Sequence, residues 1–274
     1  MNPKLVADEV LEMVGGVRLR VFNDVRFREA IAVVGFPGMG LVGKTAVEYL
    51  VEKLNAKRML SIYHYGFPAQ LIVSGEGVAD LMRIDVYYSY VNGNPLVLVT
   101  SNAQPLNDFH QNELSDIIAK ELSKRGVKRL IAAAAFVVDM TSPSSSRRVF
   151  VAGSDGDVAR FYIERGAVGL SEGAITGMNG VIVGWARLHG IDAVSMLGET
   201  WRVLVELELI DYRASAAIVE FLSRVHGLGV GVDELLEKGA SIEREAATLY
   251  RRYMERMGIE RREAKPGRES TYIT

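Results

Sequence analysis

The segment whose residue types and spacing most clearly suggest chemistry is rich in glycine and lies near the amino terminus. Gly38, Gly43, Lys44 and Thr45 satisfy the pattern G-x-x-x-x-G-K-[ST]. In phosphate-binding loops that pattern wraps backbone amides around phosphates and directs the lysine towards them. The apolar run AIAVV precedes the segment and a helical periodicity follows it, and the amides at the start of a helix favour a bound anion. The sequence context therefore permits nucleotide or phosphate binding.

The residues inside the segment favour a different interpretation. Leu41 and Val42 are bulky and apolar, and with Val47 one turn later they match the first turns of an amphipathic helix. Lys44 would then lie within the helix. Asp139, after LIAAAAFVV, is a candidate carboxylate for Mg²⁺ that no other residue supports. We interpret the segment as a glycine turn that lets a strand and a helix pack closely, with anion binding and true NTPase chemistry as alternatives.

Other patterns for catalysis, cofactors or metals are not found. The chain has no cysteine, which excludes disulfides, thiol nucleophiles and Cys-based metal sites. No second ligand is identified at helical or hairpin spacing from any of the four histidines, which are His64, His110, His189 and His226. The sequence therefore predicts no catalytic residue, no cofactor and no metal site.

Composition narrows the class of protein. The 274-residue chain has a formal net charge of -2 and 49% hydrophobic residues, so it can bury a large core and creates no strong field for nucleic acid or a membrane surface. We identify no secretory signal and no membrane span, and expect a soluble cytoplasmic protein. Glutamine occurs only at three positions, and arginine outnumbers lysine. Scarce thermolabile residues indicate a thermophilic source.

The supporting elements alternate along the chain. Strands are predicted at 29–36, 58–64, 130–138, 148–153 and 191–197, and helices at 41–54, 108–125, 155–165, 211–226 and 232–257. Between 69 and 101, β-like segments broken at Asn92-Gly93 predict an antiparallel meander. In 173–189, GAITGMNGVIVGWARLH, four glycines are spaced for one face of a helix that approaches a neighbour closely.

This pattern predicts an α/β fold with a mostly parallel mixed sheet, helices on both faces and C-terminal helices. We expect one domain over 1–235, a helical extension over 236–263 and a flexible tail over 264–274. Ligands of such folds gather beyond the carboxyl ends of the strands. The candidate ligand or structural site there comprises Gly35, Pro37, Gly38, Gly40, Gly43, Lys44, Asn179, Glu199 and Thr200.

Three separated motifs resemble the proteasome assembly chaperone 2 family. They are GFPGMGLVG at 35–43, GMNGVIVG at 177–184, and GIDA at 190–193 running on to LGET at 197–200. The resemblance spans about residues 15–235, and in that family the glycine segment does not require a lysine. It therefore implies that Lys44 completes a phosphate-loop pattern incidentally.

The resemblance implies a fold similar to nucleoside phosphorylases and a non-enzymatic chaperone or adaptor for proteasome core-particle assembly. Implied partners are proteasome α-subunits or the α-ring, and homo-oligomers are expected. Some members dock through a tail ending hydrophobic-Tyr-X. Here Tyr272, Ile273 and Thr274 form the candidate docking end, with the tyrosine one place earlier than the pattern requires. The alternative to docking is an ordinary frayed terminus. The alternative to a chaperone is a nucleotide- or phosphate-binding enzyme that uses loop 35–45.

Overall fold

The computed structural model describes residues 10–14, 17–73, 75, 77–140, 146–256 and 272–273. The strands are β1 (Val10–Val14), β2 (Val17–Val21), β3 (Ala30–Gly35), β4 (Lys57–His64), β5 (Leu71–Val73), β6 (Ala79–Leu81), β7 (Ile84–Val91), β8 (Asn94–Ser101), β9 (Val127–Val138), β10 (Val149–Gly153), β11 (Val168–Gly169), β12 (Ala174–Ile175), β13 (Asp192–Trp201) and β14 (Tyr272–Ile273). The helices are α1 (Val42–Lys53), α2 (Asp108–Lys124), α3 (Gly156–Ile163), α4 (Met178–Leu188), α5 (Arg202–Glu206), α6 (Tyr212–His226) and α7 (Asp233–Arg256).

One large mixed sheet organises the described residues. Its main path runs β1-β2-β4-β7-β8-β3-β9-β13-β10-β11, while β5 and β6 form a separate hairpin. The central strands β8, β3, β9 and β13 are parallel, and the strands from β1 to β8 on one side pair antiparallel. Val91 pairs with Asn94 across Asn92-Gly93, as the turn signal predicts. The mixed α/β sheet of the sequence prediction is confirmed.

Helices cover both faces of this sheet. On β3, Ala32 and Val34 join a core cluster with α2 and α4, whereas Val33 joins a second cluster with α1 and α6. Because successive side chains of a strand point to opposite faces, a strand covered on both sides must be apolar throughout. This requirement explains the unbroken apolar runs that the sequence shows in β3 and β9.

Side-chain caps set where several helices begin. Asn107 accepts a hydrogen bond from the amide of His110, and Asp155 and Asp211 cap α3 and α6 in the same way. These caps satisfy amides that a helix start leaves unpaired. In the part of the chain that the structure describes, no helix is long and apolar enough to cross a bilayer.

The prediction of one helix over 173–189 is wrong at its start. Gly173 and Gly177 have φ values of 139° and 74°, residues 174–175 form β12, and α4 begins at Met178. Within α4, Gly180 meets the Ile175 carbonyl while Gly184 faces open space. Close approach is thus confined to Gly180, because the other glycines lie outside the helix or face solvent.

Candidate functional site

The glycine segment forms a tight turn between β3 and α1. Residues Met39–Leu41 make a single 3-10 turn, Gly40 and Leu41 take φ values of 56° and 49°, and α1 begins at Val42. A Cβ at Gly35 would overlap the carbonyl of Gly43, and a Cβ at Gly43 would overlap the carbonyl of Ala133 on β9. Strand, helix and neighbouring strand therefore approach through bare backbone.

Two amide side chains bind this turn to α4. Asn179, which is 1% exposed, accepts from the Phe36 amide at 2.9 Å and donates to the Phe36 carbonyl at 3.0 Å. The Gln104 side chain donates to the Pro37 carbonyl and accepts from the Met178 amide at 2.8 Å. The structure thus brings Asn179 to the glycine loop, as the sequence predicts, and adds Gln104, which no motif marks.

Lys44 and the loop backbone are engaged by other protein groups. The Lys44 ammonium pairs with Glu48 one turn along α1. The Gly40 carbonyl accepts from the Asp211 amide at 2.9 Å, and the Leu41 amide donates to Gly38 at 2.9 Å. Because these groups already have partners, the arrangement acts as a joint between elements.

Glu199 and Thr200 lie at the carboxyl end of β13 in different surroundings. Glu199 accepts from the Arg148 side chain at 3.0 and 2.6 Å and from its amide at 2.9 Å. Burial raises the pKa of Glu199, but these bonds outweigh it and leave the pKa below its ordinary value. Thr200 is buried beside Gly40, so only Thr200 of this pair reaches the loop.

A buried ionic cluster next to the loop is absent from the sequence prediction. Arg147 lies 2.5 Å from Glu243 and 3.8 Å from Asp211, and Arg213 lies 2.9 Å from Glu243. Burial raises the pKa of Asp211 and of Glu243, against the opposing effect of Arg147. The cluster ties α7 to α6 and the sheet, and no short-range pattern links residues so distant in sequence.

The candidate docking end is partly described. Tyr272 and Ile273 form β14, which pairs parallel with β12 and antiparallel with β9 at Phe136. The last β3 pairing on β9 joins Val34 to Ala132, so β14 uses the edge of β9 beyond the end of β3. Thr274 and most of the predicted tail, 264–274, lie outside the described residues.

The structure also brings together residues that the sequence analysis treats as isolated. His64 Nε2 lies 3.0 Å from Glu113, and the rings of His64 and His110 have centroids 5.0 Å apart. Burial lowers the pKa of His64, against the opposing effect of Glu113. The statement that no histidine has a second ligand at helical spacing is wrong, because Glu113 follows His110 by three residues on α2. That spacing was the available signal.

Comparison with known proteins places this geometry in a family. The family model described as PAC2 family matches residues 32–250. An uncharacterised protein of Methanocaldococcus jannaschii is 26% identical over 215 residues, which are 78% of this chain and 80% of that protein. PbaB of Pyrococcus furiosus, an archaeal proteasome activator, has a TM-score of 0.76 at 24% identity, with 86% of this chain and 100% of PbaB covered.

A second structure shows the same fold. PbaA of Pyrococcus furiosus, an archaeal homologue of proteasome-assembly chaperone, has a TM-score of 0.69 at 24% identity, with 87% of this chain and 97% of PbaA covered. The family match spans most of the chain and includes the glycine turn, Asn179 and the carboxyl end of β13. The chain therefore belongs to the PAC2 family.

Proposed function

We propose that this protein is a non-enzymatic chaperone or adaptor that assists assembly of the proteasome core particle, with α-subunits or the α-ring as its partner. The observation that carries the proposal is the likeness to PbaB, a proteasome activator whose whole chain is covered. PbaA, a homologue of a proteasome-assembly chaperone, is covered almost as fully. Because fold alone does not fix function, binding to α-subunits or to the α-ring is the property to measure.

The state of the glycine loop supports a non-enzymatic role. Asn179 occupies both backbone groups of Phe36, and Lys44 is paired with Glu48. A phosphate at this loop would have to compete with these contacts for the same donors. We therefore expect Lys44→Ala to leave partner binding unchanged, and millimolar ATP to leave the melting temperature of the wild-type protein unchanged.

We propose that the C-terminal end docks on the α-ring. Tyr272 and Ile273 pair along the backbone with β12 and β9, so this segment is competent to add to a strand edge, and such pairing is a recurrent mode of peptide recognition. Its tyrosine supplies an aromatic anchor and the chain end supplies a carboxylate for a basic side chain.

We also propose that the protein forms a homo-oligomer through the β5–β6 hairpin. Leu71 and Leu81 are cross-strand partners on this hairpin, and they are 60% and 57% exposed. Val73, on the same strand, is 63% exposed. A contiguous exposed apolar face commonly marks a protein–protein interface.

Retention by immobilised α-rings tests the proposed partner and the tail separately. Full-length protein is expected to be retained, a chain truncated after Arg268 to be retained weakly, and Lys44→Ala to behave as full length. Equal retention of the truncated chain would discard docking through the tail. If the full-length protein bound neither α-rings nor free α-subunits, the proposed function itself would be wrong.

Mass measurement in solution tests the oligomer. The wild-type protein is expected to exceed the monomer mass, and the double variant Leu71→Lys/Leu81→Lys to shift towards monomer, because charges cannot be buried unpaired in an apolar interface. Leu188→Lys is the matched control, since Leu188 is 75% exposed on α4. A wild-type monomer, or a double variant of unchanged mass, would discard this interface.

A further inference from the structure

We propose that His64, His110 and Glu113 form a binding site for a divalent transition-metal ion, with Zn²⁺ the ion best matched to the donors. One ligand atom from each residue lies within 4.8 Å of the other two. His64 ends β4, whereas His110 and Glu113 lie in the first turns of α2. The site therefore joins two elements that are distant in sequence.

The local geometry makes room for this convergence. Residues three apart on a helix lie on the same face, so His110 and Glu113 both point to the end of β4, where Glu113 reaches His64 at 3.0 Å. A Cβ at Gly66 would overlap the His110 ring. The glycine two residues after His64 is thus what allows the α2 histidine to approach the strand histidine.

His110 has a ring nitrogen that is free to act as a metal ligand. Its Nδ1 is buried and makes no hydrogen bond to any described residue. Buried polar atoms are nearly always partnered, and each exception requires an explanation such as an ion that is not seen. Either ring nitrogen of a histidine can bind a metal, and a metal held through Nδ1 of His110 would supply that partner.

The hydrogen bonds define the proton shift that metal binding requires. His64 Nδ1 accepts from the Gly66 amide at 3.0 Å, so without metal the proton is on Nε2, which donates to Glu113. A metal on Nε2 takes the place of that proton, which moves to Nδ1. The Gly66 peptide must then turn away, and a glycine permits this backbone change at little steric cost.

Two imidazoles and one carboxylate select the class of ion. Zn²⁺ binds such a set with bonds of about 2.0–2.2 Å, and water can complete a tetrahedron. Ligand atoms are then about 3.4 Å apart, closer than the 4.8 Å limit of this cluster. Glu113 already lies 3.0 Å from His64 Nε2, and its side chain, which is 30% exposed, has room to adjust as the ion binds. Mg²⁺ and Ca²⁺ prefer oxygen ligands.

Calorimetric titration of the full-length, chelator-stripped protein with ZnCl₂ tests the site. We expect one Zn²⁺ per chain and a loss of affinity of at least about tenfold in His110→Asn and in Glu113→Gln, since even outer-shell changes cost about 10- to 100-fold. The matched control is His189→Asn. His189 pairs with Asp116 at 2.5 Å but belongs to no three-ligand group among the described residues.

The outcomes separate a built site from binding by surface histidines. Binding that is lost in both site variants and kept in His189→Asn supports the proposal, provided that circular dichroism shows all variants folded. Tetrahedral visible absorption of bound Co²⁺ would support it independently. Absence of Zn²⁺ binding by the wild-type protein, equal affinity in all variants, or equal binding of Mg²⁺ would overturn it.

Discussion

Asn179 on α4 and Phe36 at the end of β3 are joined by two hydrogen bonds, of 2.9 and 3.0 Å, across 143 residues of sequence. The asparagine amide both donates and accepts, so it matches the N–H donor and the C=O acceptor of the single residue Phe36. Asn179 is only 1% exposed, so water cannot take over its hydrogen bonds to Phe36. The pair explains why an asparagine stands where an apolar residue would otherwise pack.

Replacing Asn179 is expected to destabilise the fold. Asn179→Leu leaves the amide and carbonyl of Phe36 unpaired, at a cost of about 1–3 kcal/mol in the free energy of unfolding. Asn179→Asp should cost more, because it buries a charge and turns a carboxylate oxygen, which has no hydrogen to donate, towards the Phe36 carbonyl oxygen. Urea unfolding measures both changes. Asn102→Asp, at an exposed position, is the control and should stay within about 0.5 kcal/mol of wild type.

Part of this arrangement could be predicted from sequence. Unbroken apolar runs indicate strands buried on both faces, and the sequence predicts that the glycine segment, Asn179 and Thr200 lie at one end of the sheet. The pairing of Asn179 with Phe36, and the role of Gln104, could not be predicted, because they depend on how α4 is positioned by tertiary packing.

Two predictions from the sequence were wrong, and each error has a specific physical cause. The spacing of the glycines in 173–184 is that of residues on one face of a helix. The positive φ values of Gly173 and Gly177 prevent the helix from starting before Met178. The His110 and Glu113 spacing was present in the sequence, but its meaning depends on His64. Only the close approach of α2 to β4 at Gly66 brings that third ligand into range.

Gly43→Ala and Gly184→Ala are expected to change stability in opposite directions. A Cβ at Gly43 would overlap the Ala133 carbonyl of β9, whereas a Cβ at Gly184 meets open space. Overpacking at Gly43 should cost about 1–3 kcal/mol or more. Alanine at the exposed helical Gly184 should stabilise by up to about 1 kcal/mol. Thermal and urea unfolding compare the two, and a harmless Gly43→Ala would contradict the close packing of α1 on β9.

Glu243→Gln is expected to weaken the attachment of α7. Glu243 neutralises Arg147 at 2.5 Å and contacts Arg213 at 2.9 Å, and the Arg147 side chain is fully buried. Removing one partner of a buried ion pair costs about 3–5 kcal/mol. The matched control is Glu245→Gln, at an exposed position of the same helix. Similar unfolding midpoints for the two variants would show that the cluster contributes little.

His226 is expected to make folding stability depend on pH. Burial, reinforced by Arg129 and Arg165, lowers the pKa of His226 from 6.5 to about 4. Its Nε2 lies 3.2 Å from the Tyr162 hydroxyl, which keeps its proton because burial raises the pKa of Tyr162 to about 12. A neutral His226 can accept that hydrogen bond, and a protonated one cannot.

The sign of the pH effect follows from linkage. As the pH falls below 6.5, His226 becomes protonated in the unfolded chain, whereas in the folded chain it stays neutral until about pH 4. The contribution of this group to the free energy of unfolding is therefore complete above pH 6.5 and is lost as the pH falls towards 4. The maximum loss is about 3 kcal/mol. His226→Asn should therefore lose less stability than wild type between pH 7 and 4.5 in urea unfolding. Parallel curves for the two proteins, or an NMR titration midpoint of His226 near 6.5, would show that this histidine is not held neutral by the fold.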